Sequence, residues 1–309
     1  QKNGAMTKRQ LTSEGKMGWA TVVKVVNQLQ EEGIVQCVGI SESRLGRKGK
    51  NAYAYALTHE KPLAIGIDIE LRTTRIVLTD LIGDILADEQ YRTPQPVDPP
   101  ASRRFLEDII RDFIHKYEID IRDIDGIGIG KAGISFPTRW RVDDIEESRE
   151  MARYLSDVFH TLVRVETNTK AYAVFEKWAS ATFSLRDFVF VSIRTGVGTG
   201  IICDGNLYTG SHGLSGEIGH MKVIPNGPPC RCGSAGCLET VVNQFYLFEQ
   251  YRTNVLRKVT WETVYNTTRL REGLADLFSR AKSDEPAARA IVETAMRYLG
   301  HSIANAITI

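Results

Sequence analysis

Apolar positions in the first sixty residues follow a helical spacing first and a strand spacing afterwards. Within GWATVVKVVNQLQEEGIV, four apolar residues recur as i, i+3, i+4, i+7 on one helix face: Val22, Val25, Val26 and Leu29. Gly18 can serve as the N-cap of this helix, and Gly33 ends it. Two apolar segments, IVQCVGI and AYAYALT, flank the basic tip SESRLGRKGKN. The pattern predicts one helix followed by a two-stranded hairpin.

A helix followed by a basic hairpin is typical of a winged helix-turn-helix domain, whose helix enters the major groove of DNA. The candidates for DNA contacts on this helix lie off its apolar face: Trp19, Ala20, Thr21, Val23, Lys24 and Gln28. Of these, Thr21 is placed to contact a phosphate. Basic side chains at the hairpin tip would contact the DNA backbone and make binding salt-dependent: Arg44, Arg47, Lys48 and Lys50. The alternative is a structural helix and hairpin with a charged turn.

The chain after Pro62 has a strand-rich pattern. Three strands are predicted, over 63–70, 73–80 and 84–90. The segment ASRRFLEDIIRDFIHKYEI is amphipathic, with one apolar helix face: Phe105, Ile109, Ile110 and Phe113. The apolar strand IDGIGIGKAGISFP follows it. This β-β-β-α-β order resembles a lobe of the α/β actin/hexokinase-like (ribonuclease H-like) two-lobed ATPase fold.

The first hairpin of that superfamily carries an aspartate, a glycine pair and a threonine that face the phosphates of ATP. In this chain Asp68 is kept, but Glu70 and Leu71 replace the glycines and Arg72 replaces the hydroxyl. Glycine lets backbone N–H groups approach a phosphate, whereas a carboxylate repels it. The loop is therefore predicted to be a poor phosphate site.

Two later segments resemble other parts of such a kinase. In LVRVETNTKAYAVFEKW, a strand leads through Asn168 and Thr169 into a helix from about residue 170. Sugar kinases have Asn-Asp there, with the aspartate as base, and threonine cannot act as a base near neutral pH. We expect Thr169 to cap the helix instead. The turn TGVGTG matches the second phosphate loop through Thr195, Gly196 and Gly198, although Arg194 replaces a usual glycine.

Charge is unevenly distributed along the 309 residues. The net charge is +1, but residues 1–61 contain ten Lys or Arg against five Asp or Glu. A basic first segment on a mildly acidic body is compatible with nucleic-acid binding, and equally with a solvated lysine surface. No apolar run reaches the roughly 20 residues of a membrane span. The start, QKNGAMTKRQ, resembles neither a signal peptide nor an anchor, so we expect a cytoplasmic protein. We expect that the given sequence is truncated at both ends.

The segment GEIGHMKVIPNGPPCRCGSAGCLET concentrates metal-ligand types. Cys230, Cys232 and Cys237 form C-x-C-x4-C, and His220 precedes them. A disulfide between Cys230 and Cys232 fits bridge geometry poorly and leaves an odd cysteine. Three thiolates and an imidazole suit tetrahedral Zn²⁺, and the closed ligand set predicts a structural ion. The alternative is three buried thiols with an unrelated histidine.

EIGHMKV, PPCRCGSAGCLET and the preceding TGVGTGIICDGNLYTGSHGLSGE together resemble the signature of the ROK family, which comprises repressors, open reading frames and sugar kinases. With the predicted winged helix in front, the chain is similar to the repressor branch, whose members include xylose, N-acetylglucosamine and glucose-type repressors. The resemblance implies zinc on His220, Cys230, Cys232 and Cys237. It implies sugar hydroxyl contacts from Asn168, Glu217, His220 and Glu239.

These expectations define three domains: a winged helix-turn-helix over 1–61, a lobe with a degenerate phosphate loop over 62–180, and a lobe with the zinc knuckle over 181–309. The predicted function is repression of sugar-metabolism genes by a homodimer or homotetramer that binds operator DNA and a sugar effector. The protein is not expected to bind ATP or to be an enzyme. Two alternatives stay open: an active ROK sugar kinase with an accessory DNA-binding domain, and a pseudo-kinase regulator controlled by a protein partner.

Overall fold

The computed structural model describes residues 4–40, 52–58, 63–70, 72–94, 99–131, 142–179, 185–257 and 267–308. The chain divides into two compact units. The first comprises Gln1–Lys131 and Arg149–Val165, and the second comprises Ala132–Ser148 and Glu166–Ile309. The predicted three-domain division uses other bounds and stays a prediction.

The N-terminal elements of the first unit are two helices and three short strands: β1 (Met6–Thr7), α1 (Lys8–Glu14), α2 (Trp19–Glu31), β2 (Val35–Ile40) and β3 (Tyr53–Leu57). The strands pair antiparallel in the order β1-β3-β2. Gly18 is the N-cap of α2 as predicted, and Gly33 follows its end with a φ of +74°. Helix α1 was not predicted, because KRQLTSE has no apolar face; a capping box between Thr7 and Gln10 stabilises it.

The larger sheet of the first unit has the order β6-β5-β4-β7-β8. The strands of this sheet and the helices between them are β4 (Leu63–Ile69), β5 (Thr73–Asp80), β6 (Ile85–Arg92), α3 (Pro99–Lys116), β7 (Ile124–Lys131), α4 (Val142–Phe159) and β8 (Leu162–Thr167). The start of α4, up to Ser148, and the end of β8, from Glu166, belong to the second unit. Strands β4 to β6 form the predicted antiparallel meander, and β7 pairs parallel with β4. Helix α3 buries the predicted face, except that Leu106 is buried where Phe105 is only partly so.

The second unit contains a smaller antiparallel sheet and a group of helices. Its elements are α5 (Asn168–Ala179), β9 (Phe188–Ile193), β10 (Val197–Cys203), β11 (Asn206–Tyr208), α6 (Glu239–Val242), α7 (Gln244–Asn254), α8 (Thr267–Lys282) and α9 (Pro286–Ile307). The sheet order is β11-β10-β9. Helix α5 packs directly on β10 at Gly200. A Cβ added to this glycine would lie 2.4 Å from the Cβ of Ala173, so the contact requires glycine. In the described parts of both units, every helix is too short or too polar to cross a membrane.

Candidate metal centre and ligand site

The segment between His220 and Glu239 wraps tightly because glycine occupies two left-handed positions. Gly233 has a φ of +84° and Gly236 a φ of +71°. A Cβ on Gly236 would lie 1.7 Å from the carbonyl oxygen of Ile224, so no larger residue fits there. The Cys230 N–H donates to the Ser234 carbonyl at 2.7 Å and closes the turn. We call residues 220–239 the knuckle.

The knuckle brings together the four predicted metal ligands. The ligand atoms of His220, Cys230, Cys232 and Cys237 all lie within 4.8 Å of one another. His220 Nδ1 lies 3.6 Å from Cys230 Sγ, and the Sγ atoms of Cys232 and Cys237 are 3.7 Å apart. Tetrahedral zinc, with Zn–S near 2.3 Å and Zn–N near 2.0 Å, gives ligand separations of about 3.5–3.8 Å. The cluster could therefore hold a metal ion.

The three thiols differ in their acidity when no metal neutralises them. Burial raises the pKa values of Cys230 and Cys237. At Cys232 burial also acts to raise the pKa, but the Ser234 backbone N–H and the neighbouring thiols lower it overall. A bound divalent cation would favour the thiolate at each position and release the protons. All five cysteines are free thiols, so no disulfide competes with this use.

Glu239, predicted to bind sugar, lies buried beside the metal ligands with 4% of its surface exposed. Its Oε1 is 3.2 Å from Cys230 Sγ and 3.8 Å from His220 Nδ1. Arg231 donates to both carboxylate oxygens, Nε to Oε1 and a terminal nitrogen to Oε2, each at 3.3 Å. The pairing with Arg231 was not predicted, because the sequence does not reveal which way a side chain between two cysteines points.

The other predicted sugar residues also belong to the second unit. Asn168 is the first residue of α5, and Glu217 precedes a single 3₁₀ turn over Ile218–His220. Gly219 in that turn touches β10 so closely that a Cβ would lie 2.1 Å from the Val197 carbonyl oxygen. This contact fixes the turn between Glu217 and His220. The assignment of these residues to a sugar stays a prediction.

The TGVGTG segment, whose last four residues begin β10, is packed against the protein's own side chains. A Cβ on Gly198 would lie 2.7 Å from Thr169 Oγ1, and one on Gly196 would lie 2.9 Å from Glu239 Oε2. Helix α5 begins at Asn168, so Thr169 is its second residue. The prediction that Thr169 caps the helix is therefore wrong, and its side chain packs on Gly198 instead. Here the glycines permit the close approach of Thr169, Arg231 and Glu239.

Asp68, the retained residue of the first phosphate loop, lies in the first unit on β4 opposite Arg75 of β5. The Glu70 N–H donates to the Thr73 carbonyl at 2.9 Å, and the Glu70 carbonyl accepts from the Thr93 hydroxyl at 2.9 Å. Both backbone groups of Glu70 are thus used in hydrogen bonds within the protein, and its side chain adds a carboxylate to the loop. Leu71 lies outside the described residues.

The helix residues predicted to contact DNA lie along α2. Trp19, Ala20, Thr21, Lys24 and Gln28 are all exposed, and Val23 is half-buried. Val22 and Val26 of the predicted apolar face are buried beneath them, but Val25 is exposed and Leu29 is only half-buried, so the buried face is narrower than predicted. The hairpin-tip residues Arg44, Arg47, Lys48 and Lys50 fall outside the described part of the chain.

Two relatives of known name align with most of this chain. It is 29% identical over 280 residues to the xylose repressor of Bacillus subtilis strain 168, covering 88% of this chain and 70% of that protein. It is 27% identical over 310 residues to the DNA-binding transcriptional dual regulator NagC of Escherichia coli strain K12, covering 99% of this chain and 74% of NagC.

Solved structures show the same fold. A ROK family transcriptional regulator, a homologue of the E. coli MLC protein, superposes with a TM-score of 0.74 at 22% identity, covering 98% of this chain and 76% of that one. The ROK hexokinase of Thermus thermophilus superposes with a TM-score of 0.60 at 23% identity, covering 80% and 78%. The predicted actin/hexokinase-like fold of the body is confirmed. The ROK family model matches residues 64–309, and the chain therefore belongs to the ROK family.

Proposed function

We propose that this ROK protein is a sugar-responsive DNA-binding transcriptional repressor whose kinase-like body binds its effector without phosphorylating it. The observation that carries the proposal is the environment of Thr169. This residue stands where the sugar kinases have their base, and its hydroxyl packs against Gly198 of the glycine turn. A threonine has no basic group to accept the proton of an attacking sugar hydroxyl.

The DNA-binding part of the proposal rests on the first sixty residues. Helix α2 exposes Trp19, Lys24 and Gln28, and the β2–β3 hairpin follows it. The relatives support a winged helix-turn-helix assignment, because NagC, named as DNA-binding, aligns over 99% of the chain, whereas the hexokinase covers 80%. In this arrangement α2 lies in a major groove and Arg44, Arg47, Lys48 and Lys50 contact the backbone.

The sensing part of the proposal rests on the knuckle. Zn²⁺ held by His220, Cys230, Cys232 and Cys237 would be structural, because four protein ligands leave no open position for substrate. His220 presents Nδ1 to the cluster, which leaves Nε2 for a sugar hydroxyl. Asn168, Glu217 and Glu239 would complete the sugar site. The names of the relatives favour xylose or N-acetylglucosamine among the effectors to test.

A homodimer or homotetramer would place two α2 helices on the half-sites of a palindromic operator. The sugar changes repression only if it binds the DNA-competent and DNA-incompetent states with different affinities.

Fluorescence anisotropy with DNA fragments selected from the promoter next to the gene tests this function. Lys24→Ala should weaken binding on the order of tenfold, since a phosphate or base contact of this kind is lost. Gln30→Ala is the matched control, because Gln30 is exposed on the same helix but is not proposed to contact DNA. Equal affinity of wild type, Lys24→Ala and Gln30→Ala for every fragment would contradict the DNA-binding assignment of α2.

A second candidate function is an active sugar kinase with an accessory DNA-binding domain. It is favoured by the retained Asp68 and by the likeness to a hexokinase. A coupled assay of ATP consumption with a hexose panel separates the two functions. ATP turnover that Asp68→Ala abolishes would establish the kinase and overturn the repressor reading.

A further inference from the structure

Lys170 of helix α5 is a buried lysine with no part in the functions described so far. Its side chain is 2% exposed. Its Nζ donates to the carbonyl oxygen of Gly213 at 2.5 Å and lies 3.4 Å from Oε1 of Glu166. The same Glu166 oxygen accepts the Thr167 N–H at 2.9 Å. Lys170 thus joins the start of α5 to residues 209–216, which we call the Gly213 loop.

Burying an ammonium group is costly unless charged and polar partners replace its water. Glu166 supplies the opposite charge, although its own side chain is 38% exposed. The Gly213 carbonyl supplies a charge-assisted hydrogen bond from the other side. If the Gly213 loop moved away, the ammonium group would lose this hydrogen bond from a buried position. The position of the loop and the burial of the lysine are therefore coupled.

The Gly213 loop leads directly into Glu217. Its far end is held by Thr199, whose N–H donates to the Gly216 carbonyl at 3.2 Å and whose hydroxyl donates to the same oxygen. Two backbone hydrogen bonds within the loop shape it, from the Gly213 N–H to the Gly210 carbonyl at 3.4 Å and from the Ser215 N–H to the Thr209 carbonyl at 3.2 Å. Lys170 holds the middle of the loop and Thr199 holds its end. Together they fix the approach of the backbone to Glu217 and His220.

We propose that Lys170 is a positioning residue for the effector site, which holds the Gly213 loop in the conformation that binds sugar. This inference rests on the proposed function, because it assigns a role toward the same ligand. Lys170 itself need not touch the sugar. Through Lys170, Asn168 and Glu217 share one support, so sugar affinity depends on the lysine, whereas DNA affinity measured without sugar does not.

The test compares Lys170→Met with Lys177→Met. Methionine keeps the apolar stem and removes the ammonium. Lys177 is the matched control, because its Nζ also donates to a backbone carbonyl, that of Leu185 at 2.6 Å, but at an exposed place on the same helix. Hydrogen exchange without sugar reports on the Gly213 loop. Calorimetry with D-xylose, D-glucose and N-acetylglucosamine reports on affinity, and anisotropy reports on DNA binding.

In Lys170→Met, we expect faster exchange at the Gly213 and Ser215 amides and a sugar Kd raised at least about tenfold, as for loss of a charge-assisted hydrogen bond. DNA affinity without sugar and zinc content should match wild type, and Lys177→Met should match it throughout. Unchanged loop exchange or an unchanged sugar Kd in Lys170→Met would overturn the inference. If none of the sugars binds wild type, sugar sensing fails, while the exchange data still decide whether Lys170 holds the loop.

Should Lys170→Met fail to fold, Glu166→Gln replaces it in the same measurements. This variant keeps the lysine and removes its opposite charge, so the same loop amides should exchange faster, to a smaller extent. Exchange equal to that of wild type in a folded Glu166→Gln protein would count against the coupling of charge and loop position.

Discussion

At the scale of single residues, this chain places protein side chains where a sugar kinase keeps reactive or ligand-binding groups. Thr169, which the family resemblance places at the position of the base, packs on Gly198. Arg231 donates to both oxygens of Glu239, a carboxylate that the family resemblance assigns to the sugar. Catalysis requires a positioned base, and under the proposed function Thr169 supplies none.

Restoring the family's base should not restore a kinase. In Thr169→Asp the phosphate loop at Asp68 still carries Glu70, whose charge opposes a nucleotide. A coupled assay with ATP and a hexose panel should give the same background for wild type and variant. The nearby substitution Thr167→Asp, two residues earlier, serves as a control for nonspecific effects of added charge. Sugar-dependent ATP turnover in Thr169→Asp would mean that the nucleotide site is intact.

Removing Arg231 should destabilise the fold through the carboxylate it leaves behind. Glu239 is buried, so in Arg231→Met its charge loses two hydrogen bonds without gaining water. Because Arg231 is 40% exposed, we expect a loss of only about 1–2 kcal/mol in the free energy of unfolding. Urea denaturation measures it. The double variant Arg231→Met/Glu239→Gln should recover part of the loss, and strictly additive losses would disprove the coupling.

At the scale of elements, the knuckle is where the sequence was most informative. The spacing of Cys230, Cys232 and Cys237 disfavoured a disulfide and favoured a metal site. The ligand atoms of these residues and His220 lie close together, as that prediction requires. The face of α3 and the meander β4–β6 were predictable for a similar reason, since burial on one side produces a clear period. Helix α1 has no such face. Helix α4 was missed because its first half, VDDIEESRE, is mainly polar and its apolar contacts come late, at Met151, Leu155 and Phe159.

The unpredicted parts of the site depend on side-chain direction. A lone Lys170 in NTKAYAV gives no sign that a loop 43 residues later covers its ammonium group. Likewise, Thr169 could have capped the helix or packed on the sheet, and only the start of α5 at Asn168 decides between them. Long-range contacts of this kind leave no periodic signal in the sequence.

Metal removal should loosen the knuckle as one element. Chelation, or Cys232→Ser, removes the cross-link that holds a segment with little regular secondary structure. Trypsin should then cleave after Arg231, and the Tm should fall by more than about 5 °C. Cys203→Ser is the matched control, because Cys203 is an exposed thiol outside the cluster. Equal zinc content and Tm in Cys232→Ser and Cys203→Ser would show that the cluster holds no structural metal.

At the scale of the whole molecule, the proposed function joins a DNA-binding segment to a sensor body. The family model covers the body from residue 64, and the repressor relatives align across the segment in front of it. Allosteric proteins typically couple two ligands by 5–150-fold. If sugar binding to the body controls DNA binding by the segment, the sugar should change the DNA affinity by a factor in this range. DNA must then change the sugar affinity by the same factor.

The most direct measurement of this central claim is the Kd for selected promoter DNA with and without saturating sugar, read by fluorescence anisotropy at fixed salt. We expect specific binding to one fragment, and a change in Kd of about tenfold or more with one member of a panel containing D-xylose, D-glucose and N-acetylglucosamine. The same sugar should bind more tightly or more weakly by an equal factor when DNA is present. A DNA affinity that every sugar leaves unchanged, together with ATP-dependent phosphorylation of one of them, would contradict the proposed repressor function.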